Sequence, residues 1–195
     1  ILPESANGSG YGVSKWVVMP VVILATVFIM AILPGLSQRV RTQYGIFAHP
    51  HTWIMTIIYT MTFGSFIGYS AALPLAMKVI FGFQHVAGPD GAMTHTTVNP
   101  AAPAVLQYAW IGPFIGALIR PVGGWISDKV GGALVTQVCS VIMVAGAFVA
   151  AHFMQAAYAS ATPEIYFQSF FLTFMVLFLA TGIGNGSTFR TIALV

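Results

Sequence analysis

Charge is what this chain has least of. Only 6% of its 195 residues are Asp, Glu, Lys or Arg, against 57% that are hydrophobic, and mean hydropathy is +0.87. That is too little polarity to cover a soluble core, and no apolar run carries a charged outer face, so a water-soluble helical bundle is excluded. The 7 basic residues outnumber the 4 acidic ones and raise the isoelectric point to ≈ 9.2, yet they are scattered singly. A nucleic-acid interface gathers its cations into a patch, so no nucleic-acid partner is expected. The single cysteine, Cys139, excludes an internal disulfide. His49, His51, His85, His95 and His152 mostly lie in loops or at the ends of apolar runs, without metal-ligand company. No metal and no other cofactor is therefore expected. Acid pairs and Ser/His/Asp or Cys/His sets are lacking too, which argues against an enzyme. The chain opens Ile1-Leu2-Pro3-Glu4, with neither methionine nor a basic segment ahead of the first apolar run. It reads as a piece of a longer protein rather than one led by a signal peptide.

What is present is apolar length. About 20 mostly apolar residues carry a helix across a bilayer, and five stretches qualify: 16–36, 52–82, 104–126, 133–157 and 165–195. The fold class is an all-α membrane protein in contact with a lipid bilayer. The second and fifth stretches exceed the minimum, so tilt, a kink at Pro74 or extension past the lipid is expected. Breaks rich in Gly, Pro, Asn, Asp and Ser separate the spans at 1–14, 37–50, 84–103, 127–132 and 158–164. Arg39 and Arg41 in the 37–50 break and Lys129 in the 127–132 break place both at the cytoplasm by the positive-inside rule. The breaks holding Glu4, Asp90 and Glu164 then face outward.

Three constellations stand out. The first is Gly124-Trp125-Ile126-Ser127-Asp128-Lys129-Val130-Gly131, a short turn between two spans. Its glycines permit a tight connection, and Asp128 is placed to take hydrogen bonds from a neighbouring helix N-terminus, whose dipole favours an anion. With Gly124, Asp128 and Lys129, such a contact is a latch that can open as helices rock; the plain alternative is an ordinary Gly/Asp turn.

The second constellation is Arg120, eight residues before Asp128, or about 12 Å along a helix. An arginine inside the hydrocarbon marks a substrate or ion path by default, and its planar fork of donors suits a flat oxyanion. An arginine snorkelling to the cytoplasmic headgroups explains the spacing equally well. The third is Tyr59, Thr62, Phe63 and Phe66, which share one helix face at i, i+3, i+4 and i+7. Spacing alone favours a lipid-facing aromatic stripe. Against that stand the small residues beside it: Thr62, Ser65, and the G-x-x-x-G pair Gly64 and Gly68, matched on the arginine helix by Gly112 and Gly116. Both helices are expected to approach a neighbour closely. The last span carries Gly182, Gly184, Asn185, Gly186, Ser187 and Thr188, bare backbone and polar groups suited to packing or to lining a path; Arg190 beyond them reads as a cytoplasmic anchor.

The turn at Gly124–Gly131 resembles the signature loop of the major facilitator superfamily, without its trailing basic residues: Gly132 and Ala133 stand there. His51-Thr52-Trp53-Ile54-Met55, Thr62 to Ser70, Gly112-Pro113-Phe114-Ile115-Gly116-Ala117-Leu118 with Arg120, and Gly182-x-Gly184-x-Gly186-Ser187-Thr188-Phe189 extend the likeness in order and spacing. Together they resemble the nitrate/nitrite porter (NarK-type) family of that superfamily over residues 51–195.

The resemblance implies five spans matching helices six to ten of a twelve-helix bundle. Residues 1–36 would be an outward polar segment and the last helix of an N-terminal bundle, 37–51 the cytoplasmic connection, and 52–195 a partial C-terminal bundle. It implies alternating-access transport of nitrate and nitrite in the cell membrane, as nitrate/nitrite exchange; the alternatives are proton-coupled nitrate symport or carriage of another small anion. Arg120, Tyr59 and Phe63 match the family's substrate-binding positions. A second arginine and the missing half of the transporter would lie outside this chain, and Arg190 stands where the family pattern is neutral.

Overall fold

The structure is a computed structural model that describes residues 15–32, 38, 44–89 and 92–192. The expectations placed on Glu4, Arg39, Arg41 and Asp90 lie outside the described residues. The chain divides into two compact units, Ile1–Trp53 and Ile54–Val195.

In the first unit, α1 (Lys15–Ile32) is an 18-residue helix whose apolar stretch, Trp16–Met30, is shorter than a full crossing among the described residues. A 3₁₀ turn, Gly45–Ala48, leads into the helix that opens at Pro50. His49 is extended, as the residue before a proline prefers, and Pro50 sits where a helix needs no N–H. Side chains of the His51-Thr52-Trp53 motif tie the turn to the helix: Thr52 Oγ1 donates to the Ile46 carbonyl (2.7 Å), which also accepts the His49 N–H, and Trp53 Nε1 donates to that of Phe47 (3.0 Å).

The second unit is built on α2 (Pro50–Ala76), a broken helix of α3 (Val105–Tyr108), α4 (Ile111–Leu118) and α5 (Arg120–Val130), then α6 (Gly132–Tyr158) and α7 (Glu164–Ile192). Among the described residues, four helical segments are long and apolar enough to cross a membrane: Pro50–Phe81, Val105–Val130, Gly132–Tyr158 and Glu164–Thr191. Proline places the irregularities. Pro74 removes a donor from α2, and the chain leaves α geometry soon after, as a π turn at Met77–Phe81. The α3/α4 and α4/α5 breaks likewise fall in the turn before Pro113 and Pro121.

The core is aromatic and lies toward one end of the bundle. Leu73, Met77 and Phe81 from α2 and its π turn meet Ala150 and Ala157 of α6 and Phe170, Phe174 and Phe178 of α7. α7 is the central helix, with 56% of its apolar window buried against 11% to 28% for the other three spans. Many other large apolar side chains, such as Val138 and Val141, are exposed, where lipid is their natural solvent.

The two ends carry different polar clusters. At one end, the 82–104 connection forms a short antiparallel hairpin, β1 (Val86–Ala87) with β2 (Met93–Thr94), which the sequence reading did not anticipate. His85 is buried there with Nδ1 and Nε2 each 2.8 Å from a carbonyl, of Ser160 and Ile80 respectively, and His95 stacks on Tyr158 at 4.0 Å. Asn99 ties the same connection to α7 by donating to Glu164 Oε1 at 2.8 Å. The other end holds the 124–132 turn, where Gly131 alone of the described glycines has a left-handed φ, 98°. Beneath it Ser187 Oγ is 3.2 Å from Thr136 Oγ1, 3.3 Å from Ser127 Oγ and 2.9 Å from the Gly132 carbonyl.

Asp128 differs from the expectation. Its partner is a side chain, Arg190 Nε at 2.5 Å, rather than a helix N-terminus. Arg190 thus pairs with Asp128 rather than standing as a lone cation, while Lys129 lies over the Trp125 ring at 3.9 Å. Both members of the pair are open to solvent (53% and 42%), so its contribution to stability is small, about 0–1 kcal/mol. Asp128→Asn is expected to move the melting temperature little, and a double-mutant cycle with Arg190→Gln should return a coupling below about 1 kcal/mol that shrinks with added salt.

Candidate functional site: an arginine on an aromatic ladder

Helical periodicity brings Tyr59, Phe63 and Phe66 onto one stripe of α2, and the structure stacks them. Tyr59 and Phe63 lie 5.3 Å apart at 20°, Phe63 and Phe66 6.3 Å apart at 10°. The ladder does not face lipid alone. Arg120, at the first turn of α5, holds its guanidinium carbon 4.7 Å from the Phe66 centroid and 5.4 Å from that of Phe63. The ring faces thus supply the negative potential that a carboxylate would supply elsewhere. Nε of Arg120 is wholly buried and bonded to nothing among the described residues.

α7 supplies the third wall. Phe178 meets Phe66 edge-on at 5.8 Å and Phe189 meets Tyr59 edge-on at 5.3 Å. Between them on the same helical stripe is Asn185, fully buried, with both Oδ1 and Nδ2 unpartnered. Thr62 is buried against Gly184, whose position also faces Cys139.

α2, α4, α5 and α7 meet because glycines remove the side chains between them. A Cβ at Gly112 would run into the Phe178 ring, one at Gly116 into Phe66, and one at Gly186 into the carbonyl oxygen of Arg120. Gly64 and Gly68 require correction. The expectation was a close helix contact at both, but among the described residues Gly68 has nothing within 4 Å and Gly64 only Thr60 Cγ2 at 3.8 Å. Their G-x-x-x-G spacing faces open space because the helices that pack on α2 in this unit lie against its other side, at Thr62 and Phe66. The face carrying Ser65 instead borders a groove of ≈ 380 Å³ shared with Ser140 and Phe148 of α6.

Arg120, Tyr59, Phe63, Asn185 and Gly186 are therefore brought to one place, whereas Gly124, Asp128, Lys129 and Ser187 belong to the end that holds the 124–132 turn. Phe178 and Phe189 were not singled out from the sequence as site walls. Their spacing of seven and four residues from Asn185 was the available signal. Chemically, the arrangement can hold a small flat anion. A cation with an unclaimed donor lies beside aromatic faces that exclude water and so strengthen its field.

No protein-family model matches the chain. It is 36% identical over 183 residues to the probable nitrate/nitrite antiporter of Thermus thermophilus, covering 92% of this chain and 36% of that protein. It is 37% identical over 185 residues to the nitrate/nitrite transporter NarU of Salmonella typhimurium (93% and 35%). It is 34% identical over 195 residues to NarU of Escherichia coli (97% and 37%). The chain thus spans about a third of the length of these curated relatives. With four membrane-length helices among its described residues it is a multi-pass integral membrane protein. Over the third of those relatives that it matches, the chain belongs to the nitrate/nitrite porter family of the major facilitator superfamily.

Proposed function

We propose that this chain is part of a cell-membrane carrier, not an enzyme, that exchanges nitrate for nitrite by alternating access, with Arg120 as the anion's charge partner. The observation that carries this reading is Arg120 itself. It is a part-buried cation set against two stacked rings, with Nε unclaimed and no carboxylate beside it among the described residues. A permanently charged group in that setting makes the empty carrier costly to reorient through hydrocarbon, whereas a bound monovalent anion neutralises it. That asymmetry couples movement in one direction to movement in the other. Tyr59 and Phe63 form the wall on which the flat anion lies. The rest of the cavity, including the partner helix bundle, is supplied by sequence outside this chain, as the length of the relatives supports.

Exchange is favoured over proton coupling by where the carboxylates are. The two described ones, Asp128 and Glu164, are engaged by Arg190 and Asn99 at opposite ends of the unit. The test is nitrate counterflow into liposomes that carry the transporter containing this chain and are loaded with nitrite. Uptake is expected to need internal nitrite and to be indifferent to an imposed proton gradient. Strict dependence on the gradient would replace exchange by symport, and no uptake of either anion would sink the reading.

A further inference from the structure

Buried polar side chains in this unit are bonded almost without exception. Thr181 donates to the Phe178 carbonyl at 3.0 Å and Thr188 to that of Gly184 at 2.8 Å, while Thr136, Ser127 and Ser187 serve one another. His85 and Asn99 are bonded at the opposite end. The exceptions among the described residues are the Arg120 Nε and both polar atoms of Asn185. A buried amide with neither half satisfied costs about 1–3 kcal/mol for each group. A leucine has the same branched shape without that cost, so packing alone does not account for an asparagine here.

Its position does. Phe178 and Phe189, seven residues before and four after it, both lie on the aromatic ladder of α2, so the amide between them faces that ladder too. Gly186, the next residue, brings α7 against the backbone carbonyl of Arg120. The unclaimed amide and the unclaimed guanidinium nitrogen thus border the same short stretch of aromatic wall.

We infer that Asn185 is a further substrate-contacting residue, an inference that rests on the anion-pathway reading above. In the occupied site Nδ2–H donates to an oxygen of the planar oxyanion. Oδ1 takes an N–H of Arg120, which leaves the outer fork of the guanidinium turned to the same anion. An amide is suited to this because it satisfies the arginine and the anion at once without adding charge.

The test compares wild type and Asn185→Leu in the transporter that contains this chain, reconstituted in liposomes for flux and in detergent for melting. The KM for nitrate is expected to rise about tenfold or more, the scale of one hydrogen bond to a charged group. Turnover at saturating nitrate should change much less. The stabilisation that nitrate gives wild type should disappear at the same concentration, while the ligand-free melting temperature holds or rises because an unsatisfied amide has gone. An unchanged KM, with or without a fall in ligand-free stability, would assign Asn185 to packing and overturn the inference. Should the leucine variant fail to fold, Asn185→Ser is read by the same criteria. A wild type that nitrate neither stabilises nor crosses with would instead overturn the anion-pathway reading, and this inference with it.

Discussion

Replacing Arg120 with lysine is expected to reduce nitrate transport by about a hundredfold or more while leaving the protein folded. Lysine keeps the charge but not the planar fork, and each charge-assisted hydrogen bond lost is worth about 1.5–3 kcal/mol, so losing two of them reaches that factor. Folding should survive because Arg120 makes no ion pair in the described structure; its contacts are ring faces at 4.7 Å and 5.4 Å. A lysine ammonium can still lie over those rings. The measurement is nitrate uptake into nitrite-loaded liposomes, alongside the yield of monodisperse protein. Uptake within threefold of wild type would mean that the cation serves only as a point charge or a headgroup anchor, and the oxyanion reading would lose its chemistry.

The second large effect is structural. Gly186→Ala is expected to destabilise the protein by about 2–3 kcal/mol or to prevent its accumulation, the upper range for forcing extra atoms into a packed interior. The added methyl would meet the carbonyl oxygen of Arg120, a backbone atom that no side-chain rotation can move aside. One turn earlier, Gly182 stands in the same relation to the Gly116 carbonyl, so the close backbone contact extends over a full turn of α7. α7 would have to withdraw from α4 and α5, carrying Asn185 and Phe189 with it. Gly68→Ala is the control: none of the described residues lies within 4 Å of that position, and the substitution should fall within about 0.5 kcal/mol of neutral. Melting followed by tryptophan fluorescence in detergent separates the two. Equal melting temperatures would show that α7 does not pack on α5 as described. A large loss at Gly68 would show that another helix covers that face of α2.

Glycine spacing illustrates why the sequence was legible only in part. Gly64/Gly68 and Gly112/Gly116 are the same pattern on two helices, yet only the second pair is occupied, by Phe66 and Phe178. A G-x-x-x-G repeat states that a helix can be approached closely; it does not say from which side anything comes. Asp128 teaches the same lesson. Its position in the turn was readable, but its partner, Arg190, lies 62 residues away and is chosen by how α7 ends beside α5. The hairpin at Val86–Ala87 and Met93–Thr94 was missed because strands of two residues carry no periodicity to detect.

The sequence by itself determined that this is a membrane protein of long apolar helices, where most of its polar breaks fall, and that Arg120 and the Tyr59–Phe63–Phe66 stripe are the residues to watch. Those properties depend on composition and on periodicity along one helix, which are local. Tertiary structure alone decided between lipid and protein for that stripe, by laying a guanidinium on two of its rings and α7 across its ends. It also singled out Asn185 from its polar neighbours, because a hydrogen bond left unmade is visible only once every possible partner has a place.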